Sequence, residues 1–311
     1  MSAHNQPSPT AVCTLAIPPG EADPTITDWR EPHIAVLGPQ RAAIPRLLVY
    51  LTGSFGIPRP QTAFVLHAAR LGLHTINLRY PNRWTVGGRC RHSRDPEAHA
   101  KFRATIITGE RQSGLVRMPS QDAIVTRLAR LLLWLAQHHP AEGWDTFLSS
   151  GQPRWESILI AGHSQGGGHA AMMSKLFPLA RAIMLAAPAD HLHRLEMPAP
   201  WIARSGATPP AHLFGFVHAR DPNATHILMA WELMGLNGVG PVVNVDAEPL
   251  PFRHTHQLVT LAAVRAAHRS GVWPPWRSNR YHASVASARA TAPLADGTPR
   301  FADAWRQILV G

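Results

Sequence analysis

The sequence predicts an α/β fold: a mostly parallel twisted sheet of about eight strands with helices on both faces. Three observations predict it. Short uninterrupted apolar runs alternate along the chain with amphipathic stretches of helical length, the pattern of strand–helix–strand units with a buried parallel sheet. One of those runs, Ser157-Ile158-Leu159-Ile160-Ala161, enters Gly162-His163-Ser164-Gln165-Gly166 and then a helix-like segment that stops at Pro178. The chain has 311 residues, 45% of them hydrophobic and 16% charged, enough to bury one substantial core.

In chain order, residues 1–30 are rich in Pro, Ser and Thr, and read as a loose N-terminal arm with an edge strand around 12–17. Residues 31–311 are then a single domain. Strands are expected at 33–38 and 46–51, a helix at 61–71 and a strand at 74–78 that ends in Tyr80-Pro81-Asn82. Residues 83–118 are Arg- and Gly-rich without clean periodicity, and are expected to be a pocket-shaping insertion over the strand ends. Ser120-Gln121-Asp122 is placed to cap a helix over 123–138, whose stripe is Ile124, Leu128, Leu131, Leu132 and Leu135. Further strands follow at 157–161, 182–187, 213–218 and 242–245, the last counted as the eighth. A closing helix is expected after Thr260, to about His268, and an outer helix over 301–309.

Composition narrows the function classes. The formal net charge is +11, and two of the 30 basic residues are lysines, Lys101 and Lys175, leaving 28 arginines. These arginines are scattered, with no run of five like charges, so nucleic-acid binding is not expected. No apolar run reaches membrane-spanning length. The first twenty residues lack a basic and apolar leader pattern, so a cytoplasmic location is the default, with secretion left open. Two cysteines, Cys13 and Cys90, leave a single bridge open. The histidine pairs His138-His139 and His191-Leu192-His193 lack a convincing third ligand, so no metal and no cofactor are expected.

The chemistry is expected at strand ends. In a strand–turn–helix, Gly-x-Ser-x-Gly reverses the chain so sharply that the serine is strained and projects above the sheet. Ser164 is thus the candidate nucleophile, and the N–H of Gln165 sits at a helix N-terminus where the dipole favours negative charge. The loop Thr52-Gly53-Ser54-Phe55-Gly56 follows a strand and can supply a second amide, assigned to Ser54, for an oxyanion hole. A serine needs an imidazole to take its proton and a carboxylate to hold that imidazole. Asp221 follows the 213–218 strand and is the favoured acid, ahead of Asp190 and Asp246. His256 is the favoured base over His254, which lies two residues earlier. Ser164, Asp221 and His256 fall in the order Ser…Asp…His.

These residues resemble the α/β-hydrolase superfamily over about 33–270. More narrowly, Tyr80-Pro81-Asn82, Gly151-Gln152-Pro153-Arg154-Trp155, residues 161–171 and His256-Gln257-Leu258-Val259-Thr260 look like a bacterial branch of hydrolases without assigned substrates. The resemblance implies His256 as the base and Asp221, in Phe216-Val217-His218-Ala219-Arg220-Asp221, as the acid. Relatives in that branch look secreted, with a disulfide in the insertion after Tyr-Pro-Asn; here Cys90 has no partner cysteine in that insertion. The expected activity is a serine hydrolase that cleaves a small-molecule carboxylic ester, with thioester and amide open, through an acyl-enzyme. Two rivals stand beside it: a catalytically silent binding module, and a cofactor-free haloperoxidase or lyase on the same triad.

Overall fold

A computed structural model describes residues 12–39, 43–265 and 280–311. Nine strands form the central sheet: β1 (Cys13–Ile17), β2 (His33–Leu37), β3 (Leu47–Leu51), β4 (His74–Leu78), β5 (Ile158–His163), β6 (Arg181–Leu185), β7 (Leu213–His218), β8 (Val242–Asn244) and β9 (Gln257–Thr260). Their spatial order is β1-β2-β4-β3-β5-β6-β7-β9-β8. β2 runs antiparallel to both β1 and β4, and every pairing from β4 to β8 is parallel. Every residue of β2, β3 and β4 is buried; β3 (Leu47-Leu48-Val49-Tyr50-Leu51) reads as a continuous apolar run rather than an alternating one, whereas β4 also buries His74, Thr75 and Asn77.

The helices that matter for the site are α1 (Ala63–Arg70), α2 (Ala98–Thr108), α3 (Ile124–His138), α4 (Gln165–Leu176), α5 (Ala224–Leu233), α6 (Arg280–Ser284) and α7 (Ala302–Val310). α1 and α7 pack on each other, with Phe64 edge-on to Trp305 at 5.7 Å. α4 packs on β5 and β6 and meets α2, which in turn meets α3. None of the described helices is long and apolar enough to cross a membrane.

Four expectations need correcting. First, the eighth strand of the sequence reading is the outer edge strand β8, and a ninth strand, β9, lies between it and β7. β9 is only four residues long, and its pairing with β7, Gly215↔Gln257 to His218↔Thr260, is non-local; no periodicity announces so short a strand. Second, the closing helix expected after Thr260 is absent up to residue 265, and the remainder of that expectation, to His268, lies outside the described residues. Third, the 83–118 insertion holds an eleven-residue helix, α2, with buried residues on all its sides, so its sequence shows no amphipathic stripe. Fourth, Ser120–Asp122 is a single 3-10 turn without a side-chain cap on α3. Asp122 instead pairs with the fully buried Arg127 at 2.5 Å.

Candidate active site

The parallel register brings the candidate residues to one edge of the sheet. Leu51 pairs with Gly162, His163 with Leu185, and β7 ends at His218. The loops carrying Ser54, Ser164, Asp190 and Asp221 therefore leave the carboxyl edge of neighbouring strands, where a doubly wound sheet binds its ligands.

Ser164 joins β5 to α4 with φ 56° and ψ −118°. A non-glycine residue at positive φ is strained, and such strain persists only where the surroundings enforce it. Two glycines enforce it here. A Cβ on Gly162 would lie 2.2 Å from the carbonyl carbon of Gly166, and one on Gly166 would lie 2.0 Å from the Leu51 oxygen. The strand and helix backbones thus cross at a distance only glycine permits. Ser164 N–H donates to Leu185 O at 2.9 Å, which ties the turn to the next strand. A strained serine between a strand and a helix, at the carboxyl edge of a mostly parallel sheet, is the geometry of a nucleophile elbow.

No protein-family model matches the chain, and no curated protein matches it in sequence. Among solved structures it is similar to a bacterial heroin esterase, at 14% identity and a TM-score of 0.40, over 83% of this chain and 77% of that one. It is also similar to esterase B from Lactobacillus rhamnosis, at 10% identity and a TM-score of 0.42, over 82% of this chain and 77% of that one.

Asp221 follows β7 and is 4% exposed. Its Oδ1 accepts the Asn223 N–H at 2.9 Å, and its Oδ2 lies 2.6 Å from Nδ1 of His282. A carboxylate only accepts, so the Nδ1 proton is held on the Asp221 side and Nε2 is left as the basic nitrogen of the ring. His282 sits in α6, whose Tyr281 ring rests on His218 at 4.7 Å, at the end of β7. The His282 carbonyl accepts from Nε2 of His163 at 2.8 Å, and the two imidazoles are 4.9 Å apart. His163 is the residue before Ser164, so this bond fastens the His282 backbone beside the serine. Burial, with the neighbouring His282, lowers the His163 pKa to about 4, so His163 is neutral near pH 7 and acts as a tether.

His256, the base expected from sequence, is elsewhere. It precedes β9, and the register of β9 with β7 sets it level with Phe214. His218 marks the carboxyl edge four residues further on, roughly 13 Å away at ~3.3 Å per residue. The His256 ring stacks on Phe214 at 3.8 Å, and its Nδ1 lies 3.1 Å from the Leu213 oxygen. Burial lowers its pKa. His254 is exposed in the turn Phe252–His254 before the same strand. Both histidines are at the amino ends of the strands, opposite Ser164. The histidine that the structure brings to Asp221 is His282, not His256 or His254.

Asp190 is also accounted for. Its carboxylate takes a two-pronged bond from Arg103 of α2, at 2.6 and 2.7 Å, and one from Trp201 Nε1 at 3.1 Å. Burial would raise its pKa, but Arg103 outweighs burial and holds it at about 2. Asp246 accepts from Thr260 Oγ1 and from the Leu261 N–H. Neither faces a histidine placed to serve Ser164.

The loop after β3 brings a second amide close. A Cβ on Gly53 would lie 3.3 Å from Ser164 Cβ. Ser54 Oγ donates to Gln165 Oε1 at 2.9 Å and joins the two residues expected to supply oxyanion donors. Among the described residues, the N–H groups of Ser54 and Gln165 have no acceptor, as is usual for Gln165 at the start of a helix.

Cys13 is exposed and Cys90 is buried, both as free thiols. Burial, with the nearby Asp190, pushes the Cys90 thiol up to about 12, which leaves it unreactive. No group of three His, Cys, Asp or Glu side chains among the described residues is arranged to hold a metal ion.

Proposed function

We propose that this protein is a serine hydrolase that cleaves a carboxylic ester through an acyl-enzyme, with Ser164, His282 and Asp221 as nucleophile, base and acid. The observation that carries the reading is the 2.6 Å contact between His282 Nδ1 and Asp221 Oδ2, on a histidine whose carbonyl is bound by the neighbour of a strained serine.

In this reading Ser164 Oγ attacks the ester carbonyl as His282 Nε2 takes its proton. Asp221 holds the imidazole tautomer and stabilises the imidazolium that forms. The tetrahedral oxyanion is held by the Ser54 and Gln165 amides, with the N-terminus of α4 adding its dipole. His282 then passes the proton to the leaving alcohol. A water attacks the acyl-enzyme by the same route in reverse and frees the acid. Thioesters and amides share this chemistry. Esters rank first because an alkoxide needs less help to leave than an amine. Phe55 and Ile57 are 53% and 38% exposed on the loop carrying Ser54, which favours an apolar acyl or aryl group near the carbonyl. No step calls for a metal or cofactor.

The reading is tested by turnover of aryl esters of increasing acyl length. Hydrolysis by the native chain and none by Ser164→Ala supports it. Equal hydrolysis by the two would remove Ser164 from the chemistry.

A further inference from the structure

We propose that Asn82 is a positioning residue that aims the Ser54 amide at the developing oxyanion, an inference that rests on the serine-hydrolase reading above. Asn82 is fully buried, just beyond the end of β4 and outside the Ser-His-Asp set. Its Nδ2 lies 2.8 Å from Gly53 O, 2.8 Å from Gly56 O and 3.1 Å from Thr52 Oγ1. Two amide protons are thus shared among three acceptors of one five-residue loop. Its backbone oxygen accepts the Phe55 N–H at 2.8 Å. Its own Oδ1 accepts from Arg79 Nη1 at 2.9 Å, so the amide cannot flip without losing a charged donor.

The pattern of occupied groups gives the brace its meaning. Asn82 takes the Phe55 N–H, and Gly53 O takes the Gly56 N–H at 3.0 Å. The carbonyls of Gly53 and Gly56 are turned towards Asn82. Phe55 is held at φ 62°, a conformation a bulky residue rarely adopts. Ser54 is left between these anchors with its N–H unclaimed. Tyr80 adds a second pin, with its hydroxyl donating to Thr52 O at 2.5 Å. Tyr80 and Asn82 therefore grip both ends of the loop, and their shared motif with Pro81 becomes a support for the oxyanion donor. Preorganised donors of this kind act because they need no rearrangement when charge develops.

The test compares steady-state hydrolysis of one aryl ester by the native chain, Asn82→Ala and Tyr80→Phe, with thermal unfolding of each. Loss of a whole oxyanion donor costs about 10² to 10³ in kcat. Asn82→Ala is expected to lose about 10- to 100-fold in kcat with KM within about twofold, because a misaimed amide binds the ground state nearly as well. Tyr80→Phe, which removes one hydroxyl and keeps the ring in place, should lose less, in kcat alone. A Ser54→Pro chain lacks the amide proton, and adding Asn82→Ala to it should cost little more. The proposal is overturned if folded Asn82→Ala keeps native kcat, if kcat and KM worsen together, or if the two substitutions multiply independently. Should Asn82→Ala not fold, native kcat in Tyr80→Phe overturns it. A native chain without Ser164-dependent turnover fails differently: it removes the hydrolase reading first.

Discussion

His282 Nδ1 sits 2.6 Å from Asp221 Oδ2 although 61 positions separate them in the chain. The contact joins the loop after β7 to a five-residue helix that follows the last strand of the sheet. Because Asp221 is buried and fixed by the Asn223 N–H, it orients the imidazole. Asp221→Asn keeps the shape but presents an amide that can hold the wrong tautomer, and kcat should fall about 10⁴-fold. Steady-state kinetics at pH 7 measure this, and a loss under tenfold would speak against Asp221 as the acid.

Asp190 gives the opposite result. Its carboxylate and Arg103 are both nearly inaccessible, at 5% and 3% side-chain exposure. Breaking one partner of such a pair leaves a buried charge uncompensated, at a cost of about 3 kcal/mol or more. Asp190→Asn should therefore lower stability to denaturant while kcat of the folded fraction stays within about tenfold of native. The pair also has an acid limit. A carboxylate held at about 2 stabilises the fold above its unfolded value of ~3.9, and that contribution is lost as pH falls towards 2.

Histidines kept neutral in the fold set a milder acid limit first. His33, fully buried, is lowered to about 3 by burial and the nearby arginines, and His163 to about 4. Both are neutral in the fold, while the unfolded chain takes up their protons below ~6.5. The unfolded state then binds more protons, so stability falls as pH drops from 6.5 to about 4, by ~1.4 kcal/mol per pH unit for each such imidazole. Unfolding followed across pH 7 to 4.5 should show this slope, and a flat profile would contradict it.

Gly166 permits the turn that presents Ser164. An added methyl would lie 2.0 Å from the Leu51 oxygen, so backbone must move. Gly166→Ala should either prevent folding or, where soluble protein forms, abolish ester turnover. Native turnover in this variant would show that the backbone crossing is dispensable.

The fold was readable where local pattern and tertiary role agree. β3 and the centres of β5, β6 and β7 are apolar runs in buried positions, and the glycines around Ser164 mark a place where two backbones nearly touch. Asp221 was readable because it follows a clear strand. The base was not. Gln257-Leu258-Val259-Thr260 becomes a strand only through its pairing with β7 and β8, and without that strand His256 looked like a residue after β8 when it is one before β9. His282 lies in a Pro-, Ser- and Ala-rich stretch with no period. The one signal that could have found it is positional: the base should follow the last strand. Asn82 was visible only as part of a short motif, because its role depends on a loop thirty residues earlier.

The most direct measurement is labelling with a fluorophosphonate probe, which bonds only to an activated serine. The native chain, Ser164→Ala, His282→Ala and His256→Ala are compared at equal folded concentration. The account predicts labelling of the native chain and of His256→Ala at similar rates, none in Ser164→Ala, and a loss of about 10³-fold or more in His282→Ala. Undiminished labelling of His282→Ala, or loss of labelling in folded His256→Ala, would contradict it.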